Sequence, residues 1–170
     1  VEVITVPGPS SITAALSVSG LPVDRFAFEG FLPSRQSART KRLAGLSGES
    51  RTLVFFESSH RIRDSLADLE QVFGGDRQAA LCRELTKQFE TVLRGPLADI
   101  RRRVDEDQNQ CKGEIVLVVS GSAVSEESAF PAALELAREL REALGASQAA
   151  RLAARIHGVS RRELYRALED

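Results

Sequence analysis

The run Thr52-Leu53-Val54-Phe55-Phe56, stopped abruptly by Glu57-Ser58-Ser59-His60-Arg61, constrains the fold more than any other stretch of this sequence. β-branched, aliphatic and aromatic residues without a charged interruption describe a strand buried on both faces, and such a strand belongs to a sheet with helices packed on both sides. Where the run ends, an acid, a histidine and a cation follow at once. Open α/β sheets bind ligands at the carboxyl ends of their strands, so Glu57, His60 and Arg61 stand where chemistry is expected. These residues alone do not name a reaction.

The rest of the chain repeats the alternation of short strand-like runs with helical patterns. Val1–Val6 reads as a first strand ending at Pro7-Gly8-Pro9, and Ser10 or Ser11 caps a helix carrying Ile12, Ala15 and Leu16 before Gly20 stops it. Phe26–Leu32 reads as a second strand, after which Ser34 is expected to cap a basic helix with Arg35, Arg39, Lys41 and Arg42. Beyond the central run come a helix with Ile62, Leu66, Leu69 and Val72, strand-like stretches at 79–82 and 89–95, a helix over 96–104, and a strand over 115–119. The expected class is α/β, with a mixed β-sheet of five or six strands flanked by helices. After Gly121 the character changes: 122–130 reads as a linker between an α/β domain over 1–121 and an all-helical extension over 131–170. In that extension Ser147 is expected to cap a helix ended by Gly158, and Ser160 with Glu163 forms a capping box for the next. The tight Gly158-Val159-Ser160 joint gives a helix-turn-helix-like tail whose Arg161, Arg162 and Arg166 suit either nucleic acid or a solvated face.

Composition narrows the functional classes. With 170 residues, 42% of them hydrophobic, the chain has apolar mass for a core, and a formal net charge of −1 gives no global field for nucleic-acid binding. Any such contact must rest on local basic patches. Cys82, Cys111, His60 and His157 are too few and too scattered for a zinc site or a disulfide framework, so no metal and a reducing cytoplasm are expected. No apolar run has the length of a membrane span. The absence of any methionine, together with an opening directly in a strand-like run, leads to the expectation of a piece cut from a longer protein.

Gly-x-Gly-x-x-Gly, a Walker loop and a nucleophile elbow are all absent. The acid–base candidates are therefore Glu57 with His60 and Arg61, and a second cluster, Arg83-Glu84-Leu85-Thr86-Lys87 with Glu90. His60 fits a catalytic role as well as a helix-start histidine bonded to a nearby carbonyl. The three-residue spacing of Glu84, Lys87 and Glu90 would, on a helix, give an ordinary salt-bridge ladder. Both clusters, however, follow apolar strands.

Pro7-Gly8-Pro9-Ser10-Ser11, Glu29-Gly30-Phe31-Leu32-Pro33, Phe56-Glu57-Ser58-Ser59-His60-Arg61, Arg83-Glu84-Leu85-Thr86-Lys87 and Gly113-Glu114-Ile115-Val116-Leu117-Val118 occur in a telling order. In order and spacing they resemble the small-subunit ribosomal RNA methyltransferases of the tetrapyrrole methylase superfamily, over residues 1–121. The helical extension resembles the helix-turn-helix tail of those enzymes. The resemblance implies S-adenosyl-L-methionine as cofactor and the ribose 2′-hydroxyl of a cytidine in 16S ribosomal RNA, within the small ribosomal subunit, as methyl acceptor. It implies a cytoplasmic homodimer that needs no metal, and a cofactor held between this domain and an amino-terminal one, so that this piece would be inactive alone. Carried over by position, the cofactor contacts are Ser10, Ser11, Phe56, Glu57, Gly95, Gly113 and Glu114. Glu57, Glu84 and Glu90 become candidates for orienting or deprotonating the hydroxyl, while Arg61, Lys87 and the helix bearing Arg35, Arg39, Lys41 and Arg42 become candidates for RNA contacts. Ser59 stands where the family usually has proline. A corrin or porphyrin precursor, a modified protein histidine, and a purely RNA-binding or dimerising module are the competing readings.

Overall fold

The central run forms β2 (Thr52–Ser58), in which Leu53, Val54 and Phe55 have no solvent exposure. It is flanked by β1 (Phe26–Phe31) in parallel and by β5 (Glu114–Val119) antiparallel. β3 (Gln78–Arg83) and β4 (Thr91–Pro96) complete a mixed five-stranded sheet of order β1-β2-β5-β3-β4. The computed structural model describes residues 1–122 and 126–169. The chain divides into two units, Val1–Ser122 and Ala123–Asp170.

The period-two alternation of side chains sorts the strands onto two cores. Leu53, Phe55, Leu81 and Leu117 face α2 (Gln36–Ala44), α3 (Ile62–Phe73) and α4 (Leu97–Glu106), packing on Leu43, Leu66 and Ile100. Val54, Ala80, Cys82, Val116 and Val118 face α1 (Ser11–Ser19), packing on Ala15 and Leu16. Among the described residues of Val1–Ser122, three helices cover one face and one nine-residue helix packs on the other. The consequence is an open apolar edge: Phe26, Phe28 and Phe31 of β1 are 42%, 45% and 61% exposed.

A bulge explains why those phenylalanines share a face. Phe28 pairs with Val54 and Gly30 with Phe55, leaving Glu29 as an extra residue, with Gly30 in the left-handed region at φ 70°. Phe28 and Phe31 are three apart, which in a regular strand would put them on opposite sides. Here both rings meet Phe56, with centroids 4.8 and 5.6 Å away. Glu29 turns the other way and pairs with Arg42 of α2.

Several expectations need correction. Val1–Val6 is not a strand: it pairs with none of the five strands, and Val1, Val3, Ile4 and Val6 are exposed. A lone extended segment has no ladder to satisfy its backbone. Ser34 does not cap α2; Arg35 occupies the cap position, and the Pro33 and Ser34 carbonyls accept hydrogen bonds from Arg39 Nη1 at 3.4 and 3.2 Å. Ser10 does cap α1, its hydroxyl accepting from the Ile12 amide at 3.3 Å.

In the second unit, α5 (Glu126–Leu144) begins before Pro131, so the last five residues of the expected linker are helical. Residues 123–125 of that linker lie outside the described residues. α6 (Ala146–His157) is preceded by Gly145, and Ser147 sits inside the helix, where its hydroxyl accepts from Arg161 Nη2 at 3.1 Å. Gly158, at φ 69°, turns the chain into α7 (Arg161–Glu169), where the Glu163 amide donates to Ser160 Oγ at 3.4 Å. Ala133, Ala137, Ala150 and Ala153 are fully buried between these helices, small side chains that let the backbones approach closely.

Candidate active site

The antiparallel ladder brings separate motifs to one end of the sheet. Glu57 pairs with Ile115 and Ile115 with Arg83, so the polar turns after β2 and β3 lie beside the start of β5. A cleft of about 460 Å³ opens there on the α1 side. Its walls include Phe56, Cys82 and Val116 from the strands, Ser11 from α1, Phe31 from β1, and the Gly113-Glu114 backbone. Burial pushes the Cys82 thiol up to about 11, so this wall is a neutral, apolar surface rather than a thiolate.

Glu57 points away from the open side, into the core below α3, and its side chain is fully buried. Its Oε1 accepts from the Ser58 amide at 2.7 Å and faces Arg61 Nη2 at 3.0 Å, while Oε2 accepts from Ser65 Oγ at 2.6 Å. Arg61 also donates to Ser58 Oγ at 3.1 Å and to the Leu32 carbonyl at 3.3 Å. These contacts clamp the end of β2 to β1 and α3. Both oxygens of Glu57 are engaged and no solvent reaches it, so the expected base role is replaced by that of a brace. Arg61 is committed to the same brace. His60 is exposed in the turn between β2 and α3.

The second cluster is a turn and not a helix, with Glu84 and Thr86 both in the left-handed region at φ 51° and 65°. Glu84 grips Glu114 twice: its amide donates to the Glu114 carbonyl at 2.9 Å, and its Oε1 accepts from the Glu114 amide at 2.8 Å. Lys87 Nζ lies 2.9 Å from Glu84 Oε1 and 2.7 Å from Glu114 Oε2. The Glu114 amide, and after it Lys87, hold the Glu84 carboxyl below its ordinary value. Glu90 Oε2 accepts from the Thr86 amide at 2.6 Å. The spacing of Glu84 and Lys87 thus does make an ion pair, but one that closes a loop. Glu84 and Glu90 each brace the loop through one carboxylate oxygen, Glu90 from an exposed position.

Of the residues expected around the cofactor, Ser11, Phe56, Glu57, Gly113 and Glu114 line the cleft. Ser10 caps α1. Gly95 does not belong with them: it pairs with Ala79, at the opposite end of the ladder, four rungs from Arg83 or about 13 Å. Cleft residues not among those expected include Phe31, Cys82, Leu85 and Val116. For Cys82 the signal was present, since it shares strand parity with the β3 face opposite Val116. Phe31 reaches the cleft only through the bulge.

The basic residues separate sharply. Arg39 is 3% exposed, its Nε 2.6 Å from Asp68 Oδ2 of α3, so it is unavailable to an RNA backbone. Arg42 is paired with Glu29. Arg35 and Lys41 are exposed and without an ion-pair partner among the described residues. No group of three His, Cys, Asp or Glu side chains suited to a metal occurs among the described residues, and none of the described helices is long and apolar enough to cross a membrane.

Comparison with known proteins places this geometry among relatives. The family model described as Tetrapyrrole (Corrin/Porphyrin) Methylases matches residues 1–101, and that described as the RsmI C-terminal HTH domain matches 127–170. The chain is 50% identical over 97% of its length to the ribosomal RNA small subunit methyltransferase I of Xylella fastidiosa strain Temecula1, of which it covers 60%. It is 45% identical over its whole length to the protein of that name from Escherichia coli O157:H7, again covering 60%. The Mycobacterium tuberculosis protein of that name is 43% identical over 99% of the chain, which covers 58% of it. The chain therefore spans about 60% of the length of the curated relatives it matches. In fold it is similar to a cobalt precorrin-4 methyltransferase, CbiF, with a TM-score of 0.53 at 15% identity, covering 68% of this chain and 50% of that one. The methyltransferase CobJ gives a TM-score of 0.51 at 18% identity, covering 69% and 50%.

Proposed function

The chain belongs to the tetrapyrrole (corrin/porphyrin) methylases, and from that premise we propose that it forms part of an S-adenosyl-L-methionine-dependent methyltransferase. The proposed acceptor is the ribose 2′-hydroxyl of a cytidine in 16S ribosomal RNA of the small subunit. The observation that carries this reading is the cleft at the ends of β2 and β5, joined to relatives that are ribosomal RNA methyltransferases by name. Its 460 Å³ falls within the range of pockets that take small ligands, and its lining combines apolar side chains with backbone polar groups, which fits a nucleoside-bearing cofactor.

Ser11, Phe56 and the Gly113-Glu114 backbone would hold that cofactor. When bound, it supplies an electrophilic methyl group to the acceptor oxygen. The residues of this chain act by position: Glu57 with Arg61, and Glu84 with Lys87, fix the two turns that shape the cleft, and Phe56, Cys82 and Val116 exclude water from it. Of the three candidates for orienting or deprotonating the hydroxyl, Glu57 has both oxygens engaged, which leaves the proposed role to Glu84 or Glu90, each held through one oxygen.

The proposed protein is cytoplasmic and acts as a homodimer, the exposed Phe26 and Phe28 of β1 offering an apolar edge to a second copy. The 170 residues are proposed to be inactive by themselves, because one unit lines the cleft and the relatives extend well beyond the matched length. Incubating the intact enzyme with methyl-labelled cofactor and small-subunit RNA is expected to put label on a cytidine ribose, found by nucleoside digestion. Label on a base, or none in RNA, would overturn the assignment.

The RNA track is narrowed to Arg35 and Lys41 of the α2 region. Replacing both by alanine is expected to lower the slope of log affinity against log salt by about 1.5, the loss of two phosphate contacts. An unchanged slope in a titration across salt concentrations removes these residues from the interface.

A further inference from the structure

Beside the cleft, and sharing Gly113 with it, lies a second cavity of about 530 Å³. Arg83, Phe89, Gln110 and Lys112 line it. Arg83 is 7% exposed and no carboxylate stands within 4.0 Å of it among the described residues. Its Nη2 donates to the Phe89 carbonyl at 2.8 Å and to Thr91 Oγ1 at 3.0 Å, and its Nη1 to the Lys112 carbonyl at 3.4 Å. Its Nε has no partner, and neither has Oε1 of Gln110. These two are the buried side-chain atoms left unsatisfied among the described residues, and both belong to residues of this one cavity. Buried polar groups are almost always paired, so an unpaired donor and an unpaired acceptor among the residues lining one cavity single it out as a place that suits a polar ligand.

The geometry points to this cavity as a subsite for one unpaired nucleobase of the RNA substrate, next to the nucleotide that is methylated. This rests on the ribosomal RNA reading of the neighbouring cleft. The edge of a base presents donors and acceptors together, matching Arg83 and Gln110. Phe89, 66% exposed, supplies an aromatic face for stacking. A free phosphate fits less well, because Arg83 and Lys112 are balanced by Glu84 and Asp107 in the same lining. Asp107 is itself engaged, accepting from the Asn109 amide and Gln110 Nε2, both at 2.9 Å.

Phe89→Ala tests this without risk to the core, since the ring is exposed. Affinities of the intact protein and the variant are compared for a single-stranded RNA oligonucleotide and for a fully paired one of equal length. The variant is expected to lose about ten-fold on the single strand, the scale of one stacking contact, with duplex affinity unchanged and Phe89→Trp restoring the loss. Equal affinity of Phe89→Ala and parent for the single strand overturns the subsite, as does an equal loss on both RNAs. A parent protein that binds neither RNA overturns the ribosomal RNA reading itself, and the subsite with it.

Discussion

Asp68→Ala is expected to lower the free energy of unfolding of the Val1–Ser122 unit by about 3–5 kcal/mol, the cost of leaving a buried charge without its partner. Asp68 is 2% exposed and Arg39 3%, and the two are joined by Nε to Oδ2 at 2.6 Å. Gln36 Nε2 occupies the other oxygen at 3.1 Å. Alanine would strand the guanidinium between α2 and α3 with the Pro33 and Ser34 carbonyls as its remaining acceptors. Since a domain of this size has about 5–15 kcal/mol of stability, that is a large fraction of it. A urea titration measures this directly. A loss below about 1 kcal/mol would mean that the pair is hydrated and that the basic residues of α2 had been sorted wrongly. Replacing both residues by apolar ones of similar volume is expected to cost far less, because no orphaned charge remains.

Gly113→Ala is the second large effect, and it strikes the cleft. Gly113 has φ 84°, and a Cβ there would stand 2.3 Å from Glu84 Oε1. The strained backbone costs about 1–2 kcal/mol, and the Glu84 carboxylate must also leave the Glu114 amide. Cofactor affinity, read by calorimetry on the intact enzyme, is expected to fall at least about ten-fold, the equivalent of about 1.4 kcal/mol. Acidification should mimic part of this. The Glu84 carboxyl sits below its ordinary 4.5 in the folded protein, so its stabilising contribution is complete above that value and is lost as the pH falls beneath it. The variant, having already lost the contact, should show less of this acid-dependent decline. Wild-type affinity in the variant would show that the turn does not shape the cofactor wall.

The sheet was legible because its strands are written in residue kind. Leu53-Val54-Phe55-Phe56 and Ile115-Val116-Leu117-Val118-Val119 allow little besides buried strands, and Gly20 and Gly74 end helices where the chain says they should. The site was legible by motif, less so by role. A glutamate at a strand end reads the same whether it faces a ligand or, as Glu57 does, a serine hydroxyl behind the sheet. Parity along β2 distinguishes the two, and Phe56 rather than Glu57 has the parity of the cleft. Arg39 was misread for a related reason: four cations over residues 35–42 look like one solvated face, and only Asp68, 29 positions away, draws one of them inside. The turn at Glu84 left no mark in composition, because neither Glu84 nor Thr86 is a residue type that announces a left-handed backbone.

The extra residue in β1 makes the shared face of three rings a matter of register rather than of the identity of the bulged side chain. Glu29 can be exchanged for another side chain and the three rings of Phe28, Phe31 and Phe56 still gather. Delete it, and the strand becomes regular: Phe28 and Phe31, then two apart, still share a face, and what is lost is the ion pair with Arg42. Keep Glu29 but pair the segment without the bulge, and Phe31 turns toward α2 and the cleft loses a wall. For anyone grafting, shortening or aligning this segment, the property to preserve is the pairing of Phe28 with Val54 and of Phe31 with Phe56.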